Sequence, residues 1–452
     1  MRGYCGSEHW EVAGKLNRRG FLGAASLGVG AVAGMQSLAG QVLAAGAGKK
    51  VDNRPKMIVM WMGGGPTHID TWDPKPGSAN HGPWKSSPTK VAGVHLSEKL
   101  PTLASVFHSH FSVIRALNTR EGAHERGTWL MHTGSPMIPG DDKPGIGSFV
   151  SYEHGDPNLD LPPVWSIRSA SHSGGFLGAA HNPFIVGDPL NPVNNLKYYP
   201  GIDRARFQDR LAVMQGLEGG FESPRPDAEG IKAHRKMYEK ADSMIHSPRI
   251  KEVLDIKSLD PKEVERYSPL PAAGAAAAGR MMGRGGNGFG MSLLLARRLI
   301  ENGVSFVECG LGGWDMHNNI FPAAEARMNE FDRPLASLLE DLKSSGHLDN
   351  TLVVWMGEFG RTPRINGNAG RDHWGQSCNV MIAGGGVQPG RVVGDSGKDG
   401  YGDKEEVSVY DVFRTFGKAL KLDCNKNYYS RTGRPVRIVE AEKGKPLDVL
   451  FS

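Results

Sequence analysis

Four short clusters of acids, histidines and arginines could do chemistry in this chain. The richest spans residues 353–374, VVWMGEFGRTPRINGNAGRDHW. An apolar, strand-like run ends there on Gly357. The carboxylate of Glu358 follows at once, then Arg361, Arg364 and Arg371, then the adjacent pair Asp372 and His373. Imidazole and carboxylate groups are ligands for divalent cations. Guanidinium groups grip planar or tetrahedral anions through paired N–H donors. The combination suggests a metal site, an anion site, or both.

The other three clusters have the same character. GGGPTHIDTWDPKP (63–76) offers His68, Asp70 and Asp73 after a glycine run whose amides could cradle an anion. GGWDMHNN (312–319) places Asp315 and His317 two apart, on one face of an extended segment. NTREGAHERGTWLMHTG (118–134) holds Arg120, His124, Arg126 and His132. Each has a plainer explanation. Asp70 and Asp73 could cap turns before prolines. Asp315 and His317 could sit on a surface turn. His132 reads best as a packed helix histidine, and His124 as a polar cap or a functional group equally. The arginines could fix a loop through carboxylates. Recurrence tips the balance, because all four clusters fall where an apolar run ends or a helix begins. With no cysteine among them, the donors suit zinc first, then manganese, iron, calcium or magnesium. Charge of both signs beside such an ion fits hydrolysis of an anionic ester.

The elements that must position these residues follow from hydrophobic runs. MIVMWM (57–62), FSVIRAL (111–117), LPPVWSI (161–167), VSFVEC (304–309), the run inside LDNTLVVWMGEF (348–359) and NVMIAGGG (379–386) read as short buried strands. Helical periodicity covers 125–132, 204–217, 227–246, 291–302, 323–344 and 409–420. Alternation of the two predicts an α/β domain with a mainly parallel sheet. In such sheets ligands bind beyond the carboxyl ends of the strands. Residues 168–200 and the Ala/Gly-rich stretch 268–290 read as loops. The alternation breaks at about 155–290, which reads as an insertion over one face.

Composition limits the partners. The 452 residues carry a formal charge of only +5 and no long basic run, which argues against nucleic acid. Residues 1–47 read as a targeting segment. Arg18 and Arg19 precede Phe21, Leu22 and a weakly apolar Gly/Ala stretch ending near Ala44, Ala45 and Ala47. That is the pattern of a twin-arginine (Tat) signal, implying passage through the Tat translocase to the periplasm or cell surface. No later stretch is long and apolar enough for a stable membrane span. Cys309, Cys378 and Cys424 are too scattered for a disulfide framework and read as buried thiols.

The segments GGGPTHIDTWDPKP, GWDMHNN, GEFGRTP and GRDHW together resemble an exported bacterial family known as domain of unknown function 1501. The resemblance covers residues 55–452, nearly all of the mature chain. That family is grouped with the alkaline phosphatase and sulfatase superfamily. It implies a three-layer α/β/α sandwich and metal-dependent hydrolysis of phosphate or sulfate esters, on small molecules or glycans. It also matches His317 and His373 to metal-binding histidines and Glu358 to a changed ligand. With the clusters above, His317, Glu358, Asp372 and His373 form the core of an expected metal site, His68, Asp70 and Asp315 are further candidates, and Arg361 and Arg371 are candidate anion clamps. The superfamily nucleophile lies ten residues before the glycine of a Thr-Gly pair. Counted back from Gly134 that position is His124, the candidate catalytic residue. The superfamily's Asp-His pair stands here as Glu358-Phe359, and no Cys-x-Pro-x-Arg or Ser-x-Pro-x-Arg occurs. Any hydrolysis would then use activated water or His124. The rival expectation is a non-catalytic binding protein of the same fold that recognises anionic glycans.

Overall fold

The computed structural model describes residues 52–169, 171–192, 196–222, 229–269 and 288–452. The expected signal segment lies outside these residues, and so does most of the expected loop 268–290. Gly288–Gly290, at the end of that loop, already belong to a helix.

Apolar runs build one large sheet. Its strands are β1 (Lys56–Trp61), β2 (Ser112–Asn118), β3 (Val164–Ile167), β4 (Phe184–Val186), β5 (Phe306–Gly310) and β6 (Thr351–Met356). After β7 (Gly360–Arg361) and β8 (His373–Trp374), which pair only with each other, come β9 (Cys378–Ala383), β10 (Val392–Val393) and β11 (Val407–Ser408). The sheet has nine strands in the order β10-β2-β9-β6-β1-β5-β3-β4, with β11 also on β2. All its pairings are parallel except those of β9, which runs antiparallel to β2 and β6.

Both faces are covered, as near-continuous apolar strands require. Ile58, Met60 and Met62 enter one core and Met57, Val59 and Trp61 the other. The first core is closed by α1 (Pro101–His110), by α8 (Gly288–Glu301) and by α9 (Ile320–Ser344). The second is closed by α2 (His124–Thr133), α3 (Ile146–His154) and α10 (Val409–Leu420). This is the expected three-layer α/β/α arrangement with a mostly parallel sheet. Cys309, Cys378 and Cys424 are free and buried.

The segment 155–290 does more than cover a face. It adds β3 and β4 to one edge of the sheet before its helices α4 (Arg204–Glu222), α5 (Glu229–His246), α6 (Pro248–Leu254) and α7 (Pro261–Arg266). Met244, Ile250, Val253 and Leu254 join the first core. Sequence periodicity missed α1, α3, α6 and α7, of 10, 9, 7 and 6 residues, while it found α2, which is as long as α1. Among the described residues no helix is long and apolar enough to cross a membrane.

The topology gathers the clusters. Parallel β6, β1 and β5 are neighbours, so their carboxyl ends share one edge. Antiparallel β9 begins at that edge, so the whole connection from 357 to 377 stays there. In α9, Leu339 is fully buried, whereas Glu325 is exposed and meets Lys99 at 2.8 Å. Leu339→Ala should therefore cost about 2–5 kcal/mol by opening a cavity. Glu325→Ala should cost less than about 1 kcal/mol, as exposed pairs do. Denaturant unfolding of both variants checks the assignment, and equal losses would refute it.

Candidate metal centre

Close backbone approach assembles the cluster. Gly64, just past β1, has φ of 114°, and a Cβ there would lie 2.4 Å from the Asp315 nitrogen. A Cβ on Gly370 would lie 2.0 Å from the carbonyl oxygen of His317. Only glycine lets these three loops touch. The Gly64 N–H donates to Glu358 Oε1 at 2.7 Å, which ties the end of β1 to the end of β6.

Three imidazoles then meet around Asp315. His124 Nδ1 lies 2.8 Å from Glu358 Oε1. His317 Nδ1 lies 2.8 Å from Asp372 Oδ1. His373 Nδ1 lies 2.7 Å from the Gly122 carbonyl. Ionised carboxylates and carbonyls only accept, so each Nδ1 carries a proton. In the neutral ring each Nε2 is then a bare lone pair. All three Nε2 atoms face Asp315, at 3.5 Å for His124, 3.0 Å for His317 and 3.1 Å for His373. The Nε2 atoms of His317 and His373 are 3.1 Å apart.

This donor set fits a divalent cation. Ligand atoms of His124, Asp315 and His373 lie within 4.8 Å of one another. At metal–nitrogen lengths of about 2.0–2.1 Å, tetrahedral ligand atoms are about 3.3 Å apart, close to the spacings above. The carboxylates of Asp315, Glu358 and Asp372 against the single guanidinium of Arg361 leave two net negative charges. Burial works against ionisation of Asp315, but the hydrogen bond and charge of the Arg361 guanidinium outweigh it and hold the carboxyl well below the usual range. The second layer matches known metal sites, where the far ring nitrogen donates to a carboxylate or carbonyl.

The expected site residues divide. Asp315, His317 and His373 are brought together with His124, the candidate catalytic residue, whose Nε2 lies 3.5 Å from Asp315. Glu358 and Asp372 orient rings in this arrangement. Glu358 Oε2 is buried without a hydrogen-bond partner. His68 and Asp70 are not brought to the cluster. Asp70 and Arg371 form a buried bidentate pair, Nε to Oδ2 at 2.7 Å and Nη2 to Oδ1 at 3.0 Å. Arg371 also donates to the carbonyls of Thr362, Pro363 and Asn80. Arg361 donates to the carbonyls of Gly64, Gly65 and Arg371, to Asp315 and, at 3.4 Å, to His317 Nε2. Both guanidiniums are fully buried. The expectation that they clamp a substrate anion is corrected, because their donors are occupied by protein acceptors.

His132 is the packed histidine the sequence suggested. Its Nε2 meets buried Glu308 at 3.1 Å and its ring lies 4.2 Å from that of Trp61. Sequence reasoning missed Phe359, whose ring lies 4.6 Å from His373 and 5.1 Å from His124. It also missed the Gly122 carbonyl, since a backbone acceptor leaves no residue-type signal.

A family model described as protein of unknown function (DUF1501) matches residues 54–451. No curated protein matches the sequence. Among solved structures, a sulfatase from Pseudoalteromonas sp. is 13% identical, over 84% of this chain and 70% of that one, with a TM-score of 0.34. A lipoteichoic acid synthase of Listeria monocytogenes is 8% identical, over 86% and 75%, at 0.35. The phosphonate monoester hydrolase of Silicibacter pomeroyi is 12% identical, over 88% and 77%, at 0.30. At such scores the likeness carries no argument about this chain.

Two outcomes follow from the residues outside the cluster. Arg371→Ala leaves Asp70 charged and buried, and should cost about 3–5 kcal/mol in denaturant unfolding. A loss within about 0.5 kcal/mol would deny the pair its structural role. His68 is buried with Nε2 2.7 Å from the Gly400 carbonyl, and desolvation pushes its pKa down to about 4. Below pH 6.5 the unfolded chain binds a proton that the folded chain refuses. Stability should therefore fall from pH 6.5 to 4, by about 3 kcal/mol in total from this group. Unfolding curves for His68→Gln should lack that component, and an unchanged pH slope would exclude His68 as its source.

Proposed function

The chain belongs to the DUF1501 family, and on that premise we propose that it is an exported, metal-dependent hydrolase of phosphate or sulfate esters. One observation carries the reading. Three histidines have their Nδ1 protons engaged by acceptors, and their Nε2 lone pairs converge on one carboxylate, Asp315. The Arg361 guanidinium meets Asp315 and His317 Nε2 from one side, but the Nε2 lone pairs of His124 and His373 beside the carboxylate repel unless a further cation or protons stand among them. Zinc suits a set of three imidazoles and one carboxylate best, with manganese, calcium or magnesium as substitutes.

In this reading His124, His317, His373 and Asp315 hold the ion. It would supply positive charge to polarise an ester oxygen and acidify water. The protein's own part is orientation. Glu358, Asp372 and Gly122 fix the ring tautomers, Arg361 fixes Asp315, and the Phe359 ring excludes water from one side. His124 stands where the superfamily resemblance places the nucleophile, so the chain offers no hydroxyl or thiol at that position. Export rests on Arg18, Arg19 and the apolar stretch after them, which support Tat translocation to the periplasm or cell surface.

A second reading has one observation in its favour. With the donors of Arg361 and Arg371 occupied, neither can neutralise a reacting phosphoryl or sulfuryl group, which suits a metal-dependent binding protein of the same fold. Elemental analysis and assays on 4-nitrophenyl phosphate, bis(4-nitrophenyl) phosphate and 4-nitrophenyl sulfate separate the two. We expect about one divalent ion per chain, lost in His373→Ala, and about 10–100-fold weaker metal affinity in Asp372→Asn. Turnover that vanishes with the metal establishes the hydrolase. Bound metal without turnover of any ester favours the binding protein, and metal-free protein that takes up none of these ions sinks both.

A further inference from the structure

The buried arginines leave the cluster without an internal anion clamp, but its rim has an exposed one. The loop after β2 and the loop after β8 enclose an open groove of about 440 Å³, lined by Asn118, Arg120, Glu121, Gly122, Trp374 and Gln376. The groove shares a wall with the metal centre. Gly122 holds His373 through its carbonyl, and Trp374 follows His373 directly.

The groove is built rather than incidental. The N–H groups of Thr119 and Arg120 donate to the Gly375 carbonyl at 2.8 and 3.2 Å. The Arg120 N–H also donates to Asn118 Oδ1 at 2.9 Å. A Cβ on Gly375 would lie 2.4 Å from the Glu121 carbonyl oxygen, so the two loops are in direct backbone contact. Arg120 is held at φ of 55°, a left-handed conformation that arginine rarely adopts. Its side chain is 81% exposed and, among the described residues, pairs with Glu406 alone, at 3.6 Å, with Glu406 itself exposed. Exposed pairs of that kind contribute little, so a ligand anion can displace the carboxylate. Glu121 adds no free negative charge, because Arg126 Nε donates to it at 2.9 Å. Trp374 is half-buried, and its indole N–H donates to the Tyr401 carbonyl at 3.3 Å. That bond and the edge contact with the Tyr401 ring, 5.8 Å away, fix its ring plane. A fixed aromatic face beside an exposed, weakly paired guanidinium and two amide side chains suits a ring with apolar C–H faces, hydroxyls and an anionic group.

We propose that this groove binds a sugar ring bearing a tetrahedral oxyanion, sulfate or phosphate, with Arg120 on the oxyanion and Trp374 against the ring. The inference rests on the hydrolase reading for what lies beside it: the substrate is a sugar with two oxyanions, one on Arg120 and the other the ester at the histidines. Arg120 is then a specificity residue.

NMR-detected titrations of the zinc-loaded protein with glucose 6-sulfate, glucose 6-phosphate and glucose, followed at the Trp374 indole N–H, test this. At least one charged sugar should bind ten-fold or more tighter than glucose, and the stronger of the two identifies the oxyanion. Arg120→Ala should abolish the preference, and Arg120→Lys should retain part of it, with metal content unchanged in both. Charged sugars binding no tighter than glucose, or an undiminished preference in Arg120→Ala, would overturn the subsite. Metal content separates the two readings. Metal without the preference removes the subsite and leaves the centre standing. The preference without metal keeps the subsite and removes the hydrolase reading.

Discussion

The guanidinium of Arg361 is the interaction on which the site depends. It reaches the carbonyls of Gly64 and Gly65 after β1, the carbonyl of Arg371 before β8, and the carboxylate of Asp315 after β5. Three separate stretches of chain, far apart in sequence, are thereby fixed to one rigid planar group. Its donors match acceptors whose positions the parallel strands set, so burial leaves few polar groups there unmet. A lysine could not reproduce this, having a single point of charge and no planar fork. A side chain that could have gripped a ligand instead organises the loops that present ligands.

Strand direction explains why those loops meet at all. Parallel β6, β1 and β5 end at one edge, and each contributes a cluster there. The antiparallel β9 matters as much. Had β9 been parallel, the connection from β6 would have crossed to the opposite edge. Asp372 and His373 would then not have been held beside Asp315. The two-residue pairing of β7 with β8 folds the connection back on itself, so Glu358 and His373 approach from opposite sides of the same short loop structure.

Much of this was legible in the sequence. Strands such as MIVMWM were plain because both faces are buried, and the end of each run marked the place where polar residues gather. The Asp-x-His spacing of Asp315 and His317 and the pair Asp372-His373 led to the cluster directly. The division between ligands and buried scaffold was not legible. Asp70 and Arg371 look like site residues by type, yet they bond each other in the interior. Residue type reports what a group can do, while burial and partner decide what it does. A lone arginine such as Arg120 gave the opposite problem, since exposure and left-handed backbone geometry leave no trace in composition.

The partners of the three rings differ in a way that gives the centre a direction. Glu358, behind His124, is almost fully buried, with 3% exposure, and accepts the Gly64 amide as well. Asp372, behind His317, is 55% exposed and receives the Asn366 side-chain amide at 3.2 Å. The Phe359 ring lies against His124 and His373. One flank of the cluster is thus apolar and locked, and the other is polar and open to water. Hydrogen bonds in the dry flank are electrostatically stronger, because less solvent screens them. That asymmetry belongs to the carboxylates and not to the rings themselves, since His124 and His317 are equally exposed, at 41% and 40%, and His373 is the most enclosed at 24%.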